Sequence, residues 1–284
     1  MLELKNVTKK FRKKEVLKGI DYKFEKGIYG ILGPNGAGKT TLIRCITQLY
    51  PLNGGKIFYN NKNITDDKSY FSNLGYLPQK YGLFRELTVS EMMETMAAIK
   101  EVPKNNVKKE IERCIEIVNL SEQFNSKVKN LSGGMIRRLG IAQAILNNPE
   151  IIIFDEPTAG LDPEERLRFK NIISTLSDSH IVIISTHIVE DVEALCDYII
   201  VMNNGKIIGS GTCTEIQEKA GGKVFELESK NENLLSKPYH IQHRFEKDGR
   251  KMIKALSPSI QHSAEITNIK PNVEDGYICL LKKI

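Results

Sequence analysis

The sequence predicts an α/β protein built on a largely parallel sheet, with a β-rich first quarter, a helical insertion and a small C-terminal appendage. Three observations lead there. The run Gly33-Pro34-Asn35-Gly36-Ala37-Gly38-Lys39-Thr40-Thr41 matches G-x-x-x-x-G-K-[ST] and lies between an apolar strand-like segment, residues 28–32, and a helix-forming segment, residues 42–46. Downstream, apolar strands at 151–154 and 181–185 alternate with helical stretches at 163–176 and 188–195, as in parallel strands joined by crossover helices. Between these blocks Thr88-Val89-Ser90-Glu91 reads as a capping box, and Val89, Met92, Met93 and Met96 share one helical face.

Taken in order, short β-type segments at 2–7, 16–24, 28–32 and 57–59 surround the glycine-rich loop, with turn signals at Lys26-Gly27 and Asn53-Gly54-Gly55. The helical insertion, about residues 80–147, runs past Pro103 through a second helix near 107–118 and ends in the segment that opens at Leu131. Asn203-Asn204-Gly205 between two apolar runs predicts a β-hairpin. The Gly221-Gly222 break separates a body of residues 1–220 from a C-terminal accessory domain, 221–284, with strands expected at 224–228, 240–245 and 251–256 and a last strand-like run at 277–281.

Composition narrows the function classes. The apolar runs stop after about four residues, against the ~20 a membrane-spanning helix needs, and the N-terminus lacks the pattern of a signal peptide. A cytoplasmic location is therefore expected. The five cysteines show neither C-x-x-C nor metal-ligand spacing and read as reduced. The net charge of +6 is modest, and 11 Lys and Arg against 8 Asp and Glu from Gly222 onward form no long basic block, so nucleic acid is not an expected partner.

The glycine-rich loop indicates a nucleoside triphosphate. Gly33, Gly36 and Gly38 admit backbone angles that side chains resist, letting successive N–H groups turn toward a phosphate at a helix N-terminus. Lys39 adds charge, and the Thr40 hydroxyl suits magnesium. A second feature, Leu131-Ser132-Gly133-Gly134-Met135, opens a helix; Ser132 serves either as a simple N-cap or, with Gly133 and Gly134, as a phosphate contact. Asp155 and Glu156 follow a buried apolar strand, where one carboxylate can hold a magnesium shell and the other orient a water, the division of labour that phosphoryl transfer to water requires.

In the order and spacing of these motifs the chain resembles the ATP-binding subunits of ABC transporters over roughly residues 2–215. The resemblance implies a P-loop NTPase of ABC ATPase type, with an N-terminal antiparallel β subdomain, a helical insertion and a small α+β or β-rich C-terminal appendage, binding ATP and Mg2+. Gly33–Thr41 matches the Walker A loop, Asp155 Walker B, and Glu156 the catalytic glutamate. Phe11 falls where the family has an adenine-stacking aromatic, though it also reads as a core residue; Gln79 matches the Q-loop, or is an ordinary loop residue. Leu131–Met135 resembles the LSGGQ signature. Asp162 matches the D-loop and is equally an N-cap followed by Pro at N1 and a capping-box Glu165. His187 matches the switch histidine.

The family pattern implies a head-to-tail pair of nucleotide-binding subunits, homodimer or paralogue, on the cytoplasmic face of the membrane. ATP would lie between the Walker A loop of one and the signature of the other, and separate permease subunits would dock near residues 79–87. Met135 replaces the signature glutamine, and Phe11 lacks the hydroxyl of the commoner tyrosine, which leaves ring stacking intact. Pro271-Asn272-Val273-Glu274-Asp275-Gly276-Tyr277 resembles the P-x-L-E-D-V-F pattern of drug- and peptide-exporting members, or is a solvated acidic turn; an exporter is expected. The rival is a soluble ABC ATPase doing mechanical work on DNA, ribosomes or cell-wall machinery, although the single nucleotide domain lacks a coiled-coil insertion or a dense basic stripe. A small-molecule P-loop kinase leaves Ser132-Gly133-Gly134 and His187 unexplained.

Overall fold

The computed structural model describes residues 1–176, 179–259 and 266–284. Strands β1 (Leu2–Phe11) and β2 (Lys14–Phe24) form an antiparallel hairpin, longer than the sequence pattern suggests. The chain then leaves for a second sheet as β3 (Gly27–Leu32), passes the glycine-rich loop into α1 (Lys39–Ile46), and returns as β4 (Gly54–Tyr59) and β5 (Lys62–Asn63) to complete a first sheet in the order β2-β1-β4-β5.

Next come β6 (Leu74–Leu77) and three helices, α2 (Val89–Ile99), α3 (Val107–Ile117) and α4 (Gly133–Ile145). They lead to β7 (Ile151–Asp155), α5 (Pro163–Ser174), β8 (Ile181–Thr186), α6 (Val189–Leu195) and the hairpin β9 (Tyr198–Asn203) and β10 (Lys206–Gly211). The second sheet runs β10-β9-β3-β8-β7-β6, parallel throughout except at the β9–β10 hairpin.

Continuous apolar runs in this sheet follow from its two covered faces. Ile151 and Ile153 of β7, with Ile181 and Ile183 of β8, point into a core shared with α1 and the first sheet. Their neighbours Ile152, Phe154, Val182 and Ile184 point into the other core, shared with α2 to α6. The capping box that opens α2 is present in both directions: Glu91 N donates to Thr88 Oγ1 at 3.2 Å, and Thr88 N to Glu91 Oε2 at 2.8 Å. At the far end of α4, Lys100 Nζ donates to the carbonyls of Ala144 (3.2 Å) and Leu146 (3.0 Å), and Arg113 Nη2 to that of Ile145 (3.0 Å). Two cations thus satisfy carbonyls that a helix C-terminus leaves without intrahelical partners.

After α7 (Cys213–Glu218), the strands β11 (Val224–Glu228), β12 (His240–Lys247), β13 (Arg250–Leu256) and β14 (Thr267–Asn268) make an antiparallel sheet in the order β12-β13-β11-β14. The chain finishes in α8 (Val273–Lys282). This corrects the strand-like reading of 277–281. The helix is apolar on two sides because it is buried on two sides: Val273, Tyr277 and Leu280 join the main helical core, while Ile278 and Cys279 pack with Ala220, Val224 and Leu256 under the C-terminal sheet. A Cβ on Gly276 would lie 1.8 Å from the Ile216 carbonyl oxygen, so only glycine permits the approach of α8 to α7.

The acidic turn is not solvated either. Asp275 is fully buried; its carboxylate reciprocates the Asn272 cap, lies 2.8 Å from Lys254 Nζ of β13, and accepts from Gln242 Nε2 at 2.6 Å. Removing one member of a buried ion pair costs about 3–5 kcal/mol, so Asp275→Ala should lower stability by that order and speed amide exchange in β12 and β13, measured by denaturant unfolding and hydrogen exchange. Burial also pulls the Lys100 ammonium down to about 8, from about 10.4 in an unfolded chain. Between those values the unfolded chain holds the extra proton. Stability of the wild type relative to Lys100→Met should therefore rise with pH across this window, by at most about 1.4 kcal/mol per pH unit.

Candidate nucleotide site

The glycine-rich loop leaves β3 at the carboxyl edge of the parallel sheet, and its glycines have different reasons for being there. Gly36, at φ 81°, faces open space, whereas Gly33 and Gly38 are hemmed in by neighbouring strands: a Cβ on Gly33 would lie 2.3 Å from the Met202 carbonyl oxygen, and one on Gly38 3.1 Å from Leu17 Cδ2. α1 begins immediately afterwards, with Gly38 at the N-cap bringing no side-chain cap, so its first N–H groups are available to an anion. Lys39, buried, donates from Nζ to the Gly33 carbonyl at 2.6 Å and lies 3.5 Å from Glu156 Oε1.

The parallel register brings the second half of the site alongside. Asp155 of β7 is paired with Ser185 of β8. Asp155 Oδ1 accepts from Ser185 Oγ at 2.5 Å and from Thr40 Oγ1 at 3.2 Å, while Oδ2 is buried with no hydrogen-bond partner among the described residues. A buried carboxylate oxygen without a donor, beside a threonine hydroxyl, fits a magnesium ion or its bound water. Glu156 takes a left-handed backbone, φ 50°, and its N–H donates to the Ser185 carbonyl at 3.0 Å. One strand over, His187 Nδ1 lies 2.9 Å from Glu156 Oε2.

Pro34 to Thr41, Gln79 and Glu156 line one cavity of about 340 Å³, and Asp155 and His187 reach its wall through Thr40 and Glu156. Among the described residues, Phe11, Ser132, Gly133, Gly134 and Asp162 do not line it. Phe11 is 40% exposed and edge-on to Tyr50 at 5.2 Å, and its strand partner Lys14 lines the cavity. Ser132 caps α4 by accepting from Met135 N at 3.2 Å. Asp162 caps α5 by accepting from Glu165 N at 2.8 Å, but the reciprocal half of the expected capping box is missing. The Glu165 carboxylate instead accepts from the Arg168 guanidinium at 2.7 Å, a charge-assisted bond stronger than one from a backbone N–H, and lies 3.3 Å from Arg138 Nε.

Several site residues escape the motif reading. Lys14, Glu15, Val16 and Lys18 of β2 and the turn residues Asn204 and Gly205 all line the cavity. Arg137 of α4 donates from Nη2 to the Glu156 carbonyl, linking the helix that Ser132 caps to the residue at the end of β7; burial lowers its guanidinium pKa. The visible signal for Arg137 was two arginines within an otherwise largely apolar helix. For the turn, Asn-Gly advertised only a hairpin.

Comparison with known proteins agrees with this geometry. The ABC transporter family profile matches residues 17–159. The linearmycin resistance ATP-binding protein LnrL of Bacillus subtilis is 35% identical over 225 residues, 78% of this chain and 72% of its own length. The methionine import ATP-binding protein MetN of Clostridioides difficile is 32% identical over 87% of this chain and 80% of its own. Among solved structures, the dimeric post-hydrolysis state of the ATP-binding cassette MJ0796 with ADP and Pi superposes with a TM-score of 0.66 at 27% identity, covering 75% of this chain and 98% of that one. The chain belongs to the ABC transporter family and is an ATP-hydrolysing, ATP-binding subunit of that family.

Proposed function

We propose that this subunit powers export of a substrate through separate membrane permease subunits, working as a pair of ATPase subunits at the cytoplasmic face of the membrane. In this reading the loop amides and Lys39 hold the β- and γ-phosphates, and Phe11 stacks on adenine. Thr40, Gln79 and Asp155 hold magnesium, which neutralises phosphate charge when bound. Glu156 polarises the attacking water, kept in orientation by His187, which also steadies the γ-phosphate. Ser132, Gly133, Gly134 and Asp162 serve the site of the partner subunit.

The observation that carries the reading is the grouping of Lys39, Asp155, Glu156 and His187 around one cavity while Ser132, Gly133 and Gly134 stand outside it. On this reading a lone chain holds half of each of two sites. Among the described residues no helix is long and apolar enough to cross a membrane, which supports a separate permease. Export is supported by the likeness of residues 271–277 to the P-x-L-E-D-V-F pattern of exporting members and by the resistance function in the name of LnrL; methionine import by MetN favours the opposite direction.

Glu156→Gln should lower kcat by about two to four orders of magnitude, the usual share of a general base, while binding of a fluorescent ATP analogue persists. Near wild-type turnover in that variant sinks the role given to Glu156. For direction, the tagged chain should be isolated from native membranes and its companions identified. A permease without an extracellular solute-binding protein is the expected result; a co-purifying solute-binding protein indicates import, and ribosomes or nucleic acid alone indicate the mechanical ATPase.

A further inference from the structure

The β9–β10 turn touches the cavity, the phosphate loop and the first sheet at once. Gly205 N donates to the Ala37 carbonyl in the phosphate loop at 2.9 Å, and the Gly205 carbonyl accepts from Lys18 N of β2, also at 2.9 Å. Lys18 itself lines the cavity. Gly205 has φ 79°, and a Cβ there would lie 2.2 Å from the Val16 carbonyl oxygen, so the contact demands glycine on two grounds. Just before the turn, Met202 presents its carbonyl to Gly33 at the start of the same loop. Asn204, at φ 48° and exposed, lines the cavity together with Lys14 and Glu15. Left-handed angles at both positions are those of a two-residue I′ hairpin, which accounts for Asn-Gly as a turn. They do not account for the hydrogen bond to Ala37 or for the place of Asn204 on the cavity wall.

We propose that Asn204-Gly205 is a nucleotide-positioning turn. Gly205 ties the phosphate loop to β2, fixing where the loop amides point, and Asn204 offers its side chain to the polyphosphate and ribose of the bound nucleotide. This rests on the reading of the cavity as the ATP site.

Two substitutions keep the left-handed angle while changing the side chain: Asn204→Gly deletes it, and Asn204→Asp replaces it with a charge. A carboxylate beside the phosphates should raise the KM for MgATP and the Kd for MgADP by about fivefold at low salt, an effect that shrinks at high salt through screening. Asn204→Gly should raise both by a smaller factor, as expected for the loss of one hydrogen bond. In both variants kcat should stay within about twofold of the wild type, the limit set by a contact made equally in ground and transition states, and the melting temperature should be unchanged. A turn that is only structural moves neither KM nor its salt dependence. Gly205→Ala should weaken MgADP binding more than either, and because it risks misfolding the decision rests on the Asn204 pair. Lys39→Ala is the control. If it abolishes MgADP binding while Asn204→Asp binds like the wild type, the positioning role is overturned and the cavity assignment stands; if Lys39→Ala leaves binding intact, both fall.

Discussion

The site depends on the parallel register of β3, β8 and β7. Leu32 is paired with Thr186, and Asp155 with Ser185, so the phosphate loop, Glu156 and His187 leave the sheet at one edge within about a residue of one another. Parallel strands place all their carboxyl ends on the same side, and the loops there are free to carry chemistry because the strands below are locked on both faces. Ser185 makes the alignment specific: its hydroxyl donates to Asp155, and its carbonyl accepts from Glu156 N. A slip of one residue would carry Asp155 away from Ser185 and Thr40, and Glu156 away from Lys39 and His187.

Apart from α1, whose Lys39, Thr40 and Thr41 line the cavity, the helices around this edge act as supports rather than as walls. α4 is held at one end by Lys100 and Arg113 on its last carbonyls and in its middle by Arg138, which lies beside Glu165 and donates to the carbonyls of Val118 and Asn119. Glu165 also closes on Gly134, where a Cβ would meet its Cδ at 2.7 Å. The Ser132 end of α4 is therefore fixed to the start of α5, while Arg137 reaches back to the Glu156 carbonyl. Arg137 is thus a direct link between α4 and Glu156.

The C-terminal segment is bound to the body by its last helix. α8 packs against α7 through Gly276 and against β10, where Leu280 fills the space beside Gly209. The same helix start holds Asp275 against Lys254 and Gln242 of the C-terminal sheet. A buried charge of this kind is tolerated because both carboxylate oxygens face donors.

Much of this was legible from local sequence. The phosphate loop, the capping box at Thr88, the parallel α/β alternation and the Asn204-Gly205 hairpin are all written in residues close along the chain, because dihedral demands, caps and apolar periodicity are local properties. The phosphate-loop glycines were legible in place but not in cause, since Gly33 answers to Met202, a residue far away in sequence. The run at 277–281 misled because a helix buried on two sides loses its one-sided periodicity, and Glu165 left its expected cap because Arg138 and Arg168 arrive from elsewhere in the fold or from the next turn. By itself the sequence indicated which groups are candidates to bind phosphate and metal and, the run at 277–281 excepted, which of the main segments would be strands or helices. Only the tertiary structure decided which of those groups meet: Asp155 with Thr40, Glu156 with His187, Asn204 with the phosphate loop's cavity, and Ser132 with none of them. Such meetings depend on strand register and packing between distant segments, which no local pattern encodes.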